Sequence, residues 1–150
     1  MTPAEAAARI RERFGVDVVD ASGVLSVPLT REHWRDFAAF AQRDLGCFYF
    51  NWLSAVDWKE QGLEVLCRVE NLGARVALMM RATLPPDDPH CPSLTGLYRG
   101  ADWMERECYD LLGVVFDGHP DLRRILLPQD WEGHPLRKDY AVDTPHAPYR

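Results

Sequence analysis

The order of periodic segments predicts an α+β fold. Helix, two strands, helix and three strands build a two-layer domain around a mixed sheet, and a further helix and an extended C-terminal arm follow. Two observations carry this. Apolar residues recur at helical spacing over 7–14 and 34–45, and at alternate positions over 63–69 and 76–80. Turn formers separate these segments: Ser22-Gly23, Gly46 and Asn71-Leu72-Gly73.

The first helix opens at Thr2-Pro3-Ala4-Glu5, a capping box with proline at the first helical position. Glu5 and Arg9 are four apart with the acid first, the favourable order. Ala7, Ile10 and Phe14 form its apolar side, and Gly15 ends it. Val16–Val19 and Val24–Val27 are short β-prone runs joined by Ser22-Gly23, as a hairpin requires. Thr30 offers a second N-cap. Trp34, Phe37, Ala38, Ala41 and Leu45 then trace the clearest helical stripe in the chain, with Gly46 as its stop.

Phe48–Val56 is aromatic and nearly uncharged, the composition of a buried strand. Leu63, Val65, Cys67 and Val69 alternate with Glu64, Leu66, Arg68 and Glu70. Val76, Leu78 and Met80 alternate with Ala77, Met79 and Arg81. Leu84–Pro92 holds four prolines and reads as a loop. The third helix runs over about 103–112 and ends at Gly113, with Asp102 and Glu105 at capping-box spacing. Periodicity fades after Pro120. The domain is expected to span 1–140, and 141–150 to form the extended arm.

With 150 residues, 47% hydrophobic and 27% charged, the chain has the composition of one globular domain. Its net charge of −6 argues against nucleic acid as a partner. The longest run without Asp, Glu, Lys or Arg is Leu45–Val56. At twelve residues it is shorter than the roughly 20 a membrane-spanning helix needs. The charged N-terminus has no apolar core of a secretory signal, so the expected compartment is reducing. Cys47, Cys67, Cys91 and Cys108 lack the spacing of a zinc or iron–sulfur site and read as small core residues. G-x-G-x-x-G, Walker A, H-E-x-x-H and G-x-S-x-G are all missing, so no cofactor is expected in this chain.

The chemistry that remains lies in the C-terminal third. Glu105, Arg106, Glu107 and Asp110 share the third helix. His119, Arg123 and Arg124 follow, and then Trp131, His134, Arg137, Lys138, Asp139 and Tyr140. Three readings fit. A catalytic or metal site would use Glu105, Glu107, Asp110, His119 and His134, although Glu105 and Glu107 point about 200° apart on a helix. A solvated surface suits the charges but not Trp103, Tyr109, Trp131 and Tyr140 interleaved among them. An interface with another protein suits aromatics, arginines and prolines in an aperiodic segment.

The stretch ADWMERECYDLLG over 101–113 resembles the signature of the thirty-kilodalton subunit family of NADH-quinone oxidoreductase, respiratory complex I. The resemblance continues through FDGHPDLRRIL (116–126) and WEGHPLRKDY (131–140). It is looser over 48–82, where Ala55-Val56-Asp57 is similar to the end of a family strand, and Ser93-Leu94-Thr95 is similar to the segment before the family helix. Leu112 stands where many relatives have phenylalanine, and the longer tail of some relatives is shortened.

The resemblance implies a cofactor-free subunit of the peripheral arm of a proton-translocating complex, one that uses NADH, FMN, iron–sulfur clusters and quinone in its other subunits. The implied partners are the complex I subunit that resembles a hydrogenase large subunit and forms much of the quinone site, and neighbouring iron–sulfur subunits. The implied location is peripheral, on the cytoplasmic side of the inner (plasma) membrane. Glu105, Arg106, Glu107 and Asp110 would form an ion-pair and hydrogen-bond network at the base of the interface, with Arg137, Lys138 and Tyr140 as contacts to the hydrogenase-like partner. The same module occurs in membrane-bound hydrogenases and deazaflavin-dependent dehydrogenases. Apart from the resemblance, a free-standing metal-dependent enzyme using the carboxylate–histidine cluster is the competing reading.

Overall fold

The computed structural model describes residues 1–143; most of the expected arm, 144–150, lies outside the described residues. Helix α1 (Pro3–Phe14) forms with the full capping box: Thr2 Oγ1 accepts from the Glu5 N–H, and Glu5 accepts from the Thr2 N–H. Strands β1 (Val19–Ala21) and β2 (Val24–Leu29) make an antiparallel hairpin. Its two-residue turn has both Ser22 (φ 57°) and Gly23 (φ 85°) left-handed, the geometry that matches strand twist. The first strand begins at Val19 rather than Val16, since Val18 is buried and Val16 packs against the core ahead of the pairing.

Helix α2 (Arg31–Arg43) buries Trp34, Phe37, Ala38, Phe40 and Ala41. Thr30 takes the N-cap backbone position, but its side chain makes no capping bond. Strands β3 (Tyr49–Asp57), β4 (Leu63–Asn71) and β5 (Val76–Leu84) form an antiparallel meander. A crossover then places β2 parallel to β5, giving a five-stranded sheet in the order β1-β2-β5-β4-β3.

Alternation sets the layers. Leu63, Val65, Cys67, Val69, Leu78, Met80, Ala82 and Leu84 are buried beneath the helices. On the opposite face, Arg81 pairs with Glu64 at 2.8 Å and Trp58 Nε1 donates to the same carboxylate at 2.8 Å. Strand β3 is not the buried strand its composition suggests. It lies at the sheet edge with only Leu53 buried, and Phe48 just before it is 71% exposed.

The proline-rich stretch 84–92 is not purely a loop. His90–Pro92 is strand β6, paired in parallel with β7 (Val115–Asp117). Three-residue strands closed by a pairing 25 positions away leave no periodic trace. Helix α3 (Ala101–Leu112) starts two residues earlier than its periodicity indicates, with Gly100 at the N-cap. The Asp102/Glu105 capping box does not form, because Glu105 turns into the core instead.

Candidate functional site: the cap of helix α3

The polar cluster organises around the two ends of α3. Near its start, Glu105 is fully buried. Its carboxylate accepts from the Ser93 hydroxyl and the Leu94 N–H, both at 2.7 Å. Burial pushes this carboxyl up to about 7 against those two bonds. Asp102, one turn earlier, receives the buried His119 ring through Nε2 at 3.0 Å. The Asp121 N–H donates to His119 Nδ1 at 3.0 Å, so the fitting tautomer carries its proton on Nε2.

At the C-terminal end, four carbonyls have no helical partner of their own. Each is met here. The Gly113 N–H donates to Tyr109 O at 2.9 Å and the Leu136 N–H to Leu111 O at 2.9 Å. Asp110 O accepts from Arg124 Nη1 and His134 Nδ1, each at 3.0 Å. Leu112 O accepts from Arg137 Nε at 2.6 Å. Two guanidinium cations thus sit where the helix dipole is negative.

Asp110 is the second half of this cap. Oδ1 receives Arg124 Nη1 at 2.8 Å. Oδ2 accepts from the backbone N–H groups of Ile125, Leu126 and Leu127 at 3.1, 2.8 and 3.0 Å. Burial pushes Asp110 up, but Arg124 and the three amides outweigh it and hold the carboxyl below its usual range. Arg124 also donates to Trp131 O at 2.8 Å and Gly133 O at 2.9 Å. Arg106 donates to the carbonyls of Arg123 and Arg124 at 3.1 and 3.0 Å.

The predicted residues therefore divide. Arg106, Asp110, Arg124, Trp131, His134 and Arg137 meet in one network that binds 123–137 to α3. Glu105 belongs to a separate one, and Arg106 is not its partner. Glu107 is exposed and stands outside both. Arg123 pairs with Asp121 at the surface at 2.9 Å. The Lys138 N–H donates to Asp57 Oδ2 at 2.8 Å, fastening the segment to the end of β3. Asp139 is exposed, and the Tyr140 ring packs where a Cβ on Gly133 would lie. Among the described residues, no group of three or more His, Cys, Asp or Glu is placed to hold a metal ion, so the five candidate ligands do not converge.

Sequence reasoning missed Ser93 and Leu94 as the donors to Glu105, and Asp57 as the anchor of Lys138. It also missed that Gly113 is a floor as well as a helix stop. With φ 75°, a Cβ there would come within 2.7 Å of the His134 ring and 2.9 Å of Arg137 Nη2.

Comparison with known proteins gives the same stretch a family. Residues 27–146 match the family model described as respiratory-chain NADH dehydrogenase, 30 Kd subunit. An NADH-quinone oxidoreductase subunit of Chlorobium phaeobacteroides is 43% identical over 150 residues, covering 92% of this chain and 89% of that protein. The corresponding subunit of Chloroherpeton thalassium is 41% identical over 140 residues, covering 89% of this chain and 58% of the longer relative. Among solved structures, a trypsin-resistant fragment of Nqo5 superposes with a TM-score of 0.72 at 28% identity, covering 81% of this chain and all of the fragment. A chain of the membrane-bound sulfane sulfur reductase, an archaeal respiratory membrane complex, shares the fold with a TM-score of 0.78 at 23% identity, over 93% of this chain and 85% of that one. The residues that cap α3 fall inside the matched region, and with identity this high over nearly the whole chain, the protein belongs to the family of the 30 Kd subunit of respiratory-chain NADH dehydrogenase.

Proposed function

We propose that this chain is a cofactor-free structural subunit in the peripheral arm of a proton-translocating NADH-quinone oxidoreductase, on the cytoplasmic side of the membrane. It packs against the hydrogenase-like large subunit and the neighbouring iron–sulfur subunits, and supports the quinone site and assembly. The observation that carries this reading is the use made of the charged residues. Asp110 and His134, which in sequence suggest a reactive site, and Arg124 and Arg137, which suggest contacts to a partner, together hold 123–137 in one conformation on α3. A segment fixed in this way presents Leu126 (60% exposed), Leu136 (58%) and the exposed Lys138 on a rigid support. Pre-organised apolar side chains on such a support suit a contact between subunits. No helix among the described residues is long and apolar enough to cross a membrane, which fits a peripheral position within the complex.

A second reading, carried by the resemblance of the sequence, is an equivalent subunit of a membrane-bound hydrogenase or deazaflavin-dependent dehydrogenase complex. One experiment separates them. The tagged chain is recovered from detergent-solubilised membranes and its companions are identified. A hydrogenase-like large subunit with cluster-bearing subunits and a flavin- and NADH-binding pair is the expected result. The same set without the NADH-binding pair selects the second reading, and a chain recovered alone overturns both.

A further inference from the structure

Helix α3 is buried on nearly every side. Ala101, Glu105, Arg106, Cys108, Asp110 and Leu112 all face inward. On its outer side Trp103, 61% exposed, Glu107, exposed, and the half-buried Leu111 line up as a stripe at positions i, i+4 and i+8. Leu136, 58% exposed, extends it, its N–H bonded to Leu111 O at 2.9 Å. The stripe is rigid. The Arg106 guanidinium lies 5.2 Å from the centre of the Trp103 ring while its nitrogens hold the carbonyls of residues 123 and 124. Glu107 is the one charge on this stripe, and no cation among the described residues pairs with it. Arg106, its neighbour, is committed elsewhere.

We propose that this stripe is a docking surface for a segment of a neighbouring subunit that is apolar and carries one lysine or arginine opposite Glu107. The inference rests on the structural-subunit function proposed above and adds the chemistry of the contact. The occupant follows from charge complementarity. An apolar partner placed over Glu107 without a cation would bury an unpaired carboxylate, at a cost that opposes binding. A cation there satisfies it, and the net charge of −6 favours approach of a basic segment over an acidic one. Trp103 has the character of an anchor: a large aromatic side chain already held in place before binding.

The test uses the assembled complex in membranes. p-Benzoylphenylalanine replaces Trp103 in the tagged chain, with a second version carrying it at Ser54, on the open sheet face, as reference. Irradiation is expected to join position 103 to another polypeptide of the complex, within an apolar stretch that contains Lys or Arg. In parallel, Glu107→Lys is expected to lower the amount of chain recovered in the complex by about tenfold or more, and Glu107→Gln by less. Both substituted full chains should melt at the wild-type temperature. Three results would overturn the proposal: position 103 left unjoined in a chain that is in the complex, a joined stretch that is acidic, or Glu107→Lys recovered at the wild-type level. A lowered melting temperature for Glu107→Lys would also overturn it, by making the residue internal to the fold. A wild-type chain recovered alone would instead remove the subunit reading beneath it.

Discussion

Arg124 holds Asp110 twice, through the carboxylate at 2.8 Å and through the backbone carbonyl at 3.0 Å. The carboxylate is fully buried and the guanidinium nearly so. Removing either partner strands the other charge inside the protein, which commonly costs about 3–5 kcal/mol. Asp110→Ala and Arg124→Ala are each expected to lower the melting temperature sharply and to reduce the assembled complex. The double substitution should cost less than the sum, because the stranded charge is gone. Denaturant melts of the four proteins check this. Because its folded-state pKa is depressed, the stability Asp110 provides is present above about pH 4 and is lost as pH falls through the folded value.

Glu105 gives the opposite sign. Burial raises it from 4.5 to about 7, so between those values the folded chain binds a proton that the unfolded chain has released. Stability therefore falls as pH rises through that window, by on the order of 3 kcal/mol, and levels off above it. Glu105→Gln keeps an acceptor for the Leu94 N–H and removes the titration. The variant is expected to lose this slope and to exceed the wild type above about pH 7, as read from melting temperatures at about pH 5 and pH 8.

Gly113→Ala should be far worse than Gly15→Ala. Both glycines are left-handed, φ 75° and 65°, and share a conformational cost of roughly 1–2 kcal/mol. A Cβ at Gly15 meets nothing within 4 Å, whereas at Gly113 it meets His134 and Arg137 at under 3 Å. The excess loss measures how tightly 134–137 sits on the helix end. Trypsin cleavage at Arg137 or Lys138 should accelerate in Gly113→Ala and not in Gly15→Ala.

All four thiols are buried, and burial pushes Cys47 and Cys108 up to about 12 and Cys67 and Cys91 higher still. A disulfide reagent at about pH 8 should find no reactive thiol in the native chain and all four after denaturation. A thiol that reacts in the folded chain would place that cysteine outside the core.

The sheet and the first two helices were legible because their signals are local. The Thr2/Glu5 box, the stripe from Trp34 to Ala41 and the alternation over Leu63–Val69 each act within a few residues. The cap of α3 was legible only as a set of residue types. Its bonds join Asp110 to Leu127, Leu112 to Arg137 and Asp57 to Lys138, and none of these has a period. Glu105 looked like a capping residue because its spacing from Asp102 is right. Burial against Ser93 and Leu94 decided otherwise, and no pattern around Glu105 announces them. Strand β3 misled for a related reason: an aromatic, uncharged run signals a surface that avoids water, not which element covers it.

The parallel pairing of β2 with β5 has a consequence for how the molecule is made. Val24 is opposite Ala77, fifty-three positions later in the chain. A ribosome therefore releases α1, the first hairpin and all of α2 before the strand that must receive them exists. The meander from β3 to β5 closes through neighbours in sequence as it is made, with β5 its last strand. The N-terminal third waits beside it, with the apolar side of α2 uncovered, until β5 emerges. The segment that locks α3, 123–137, is translated after every strand of the sheet, so the polar cap of that helix forms only once the sheet it rests on is complete.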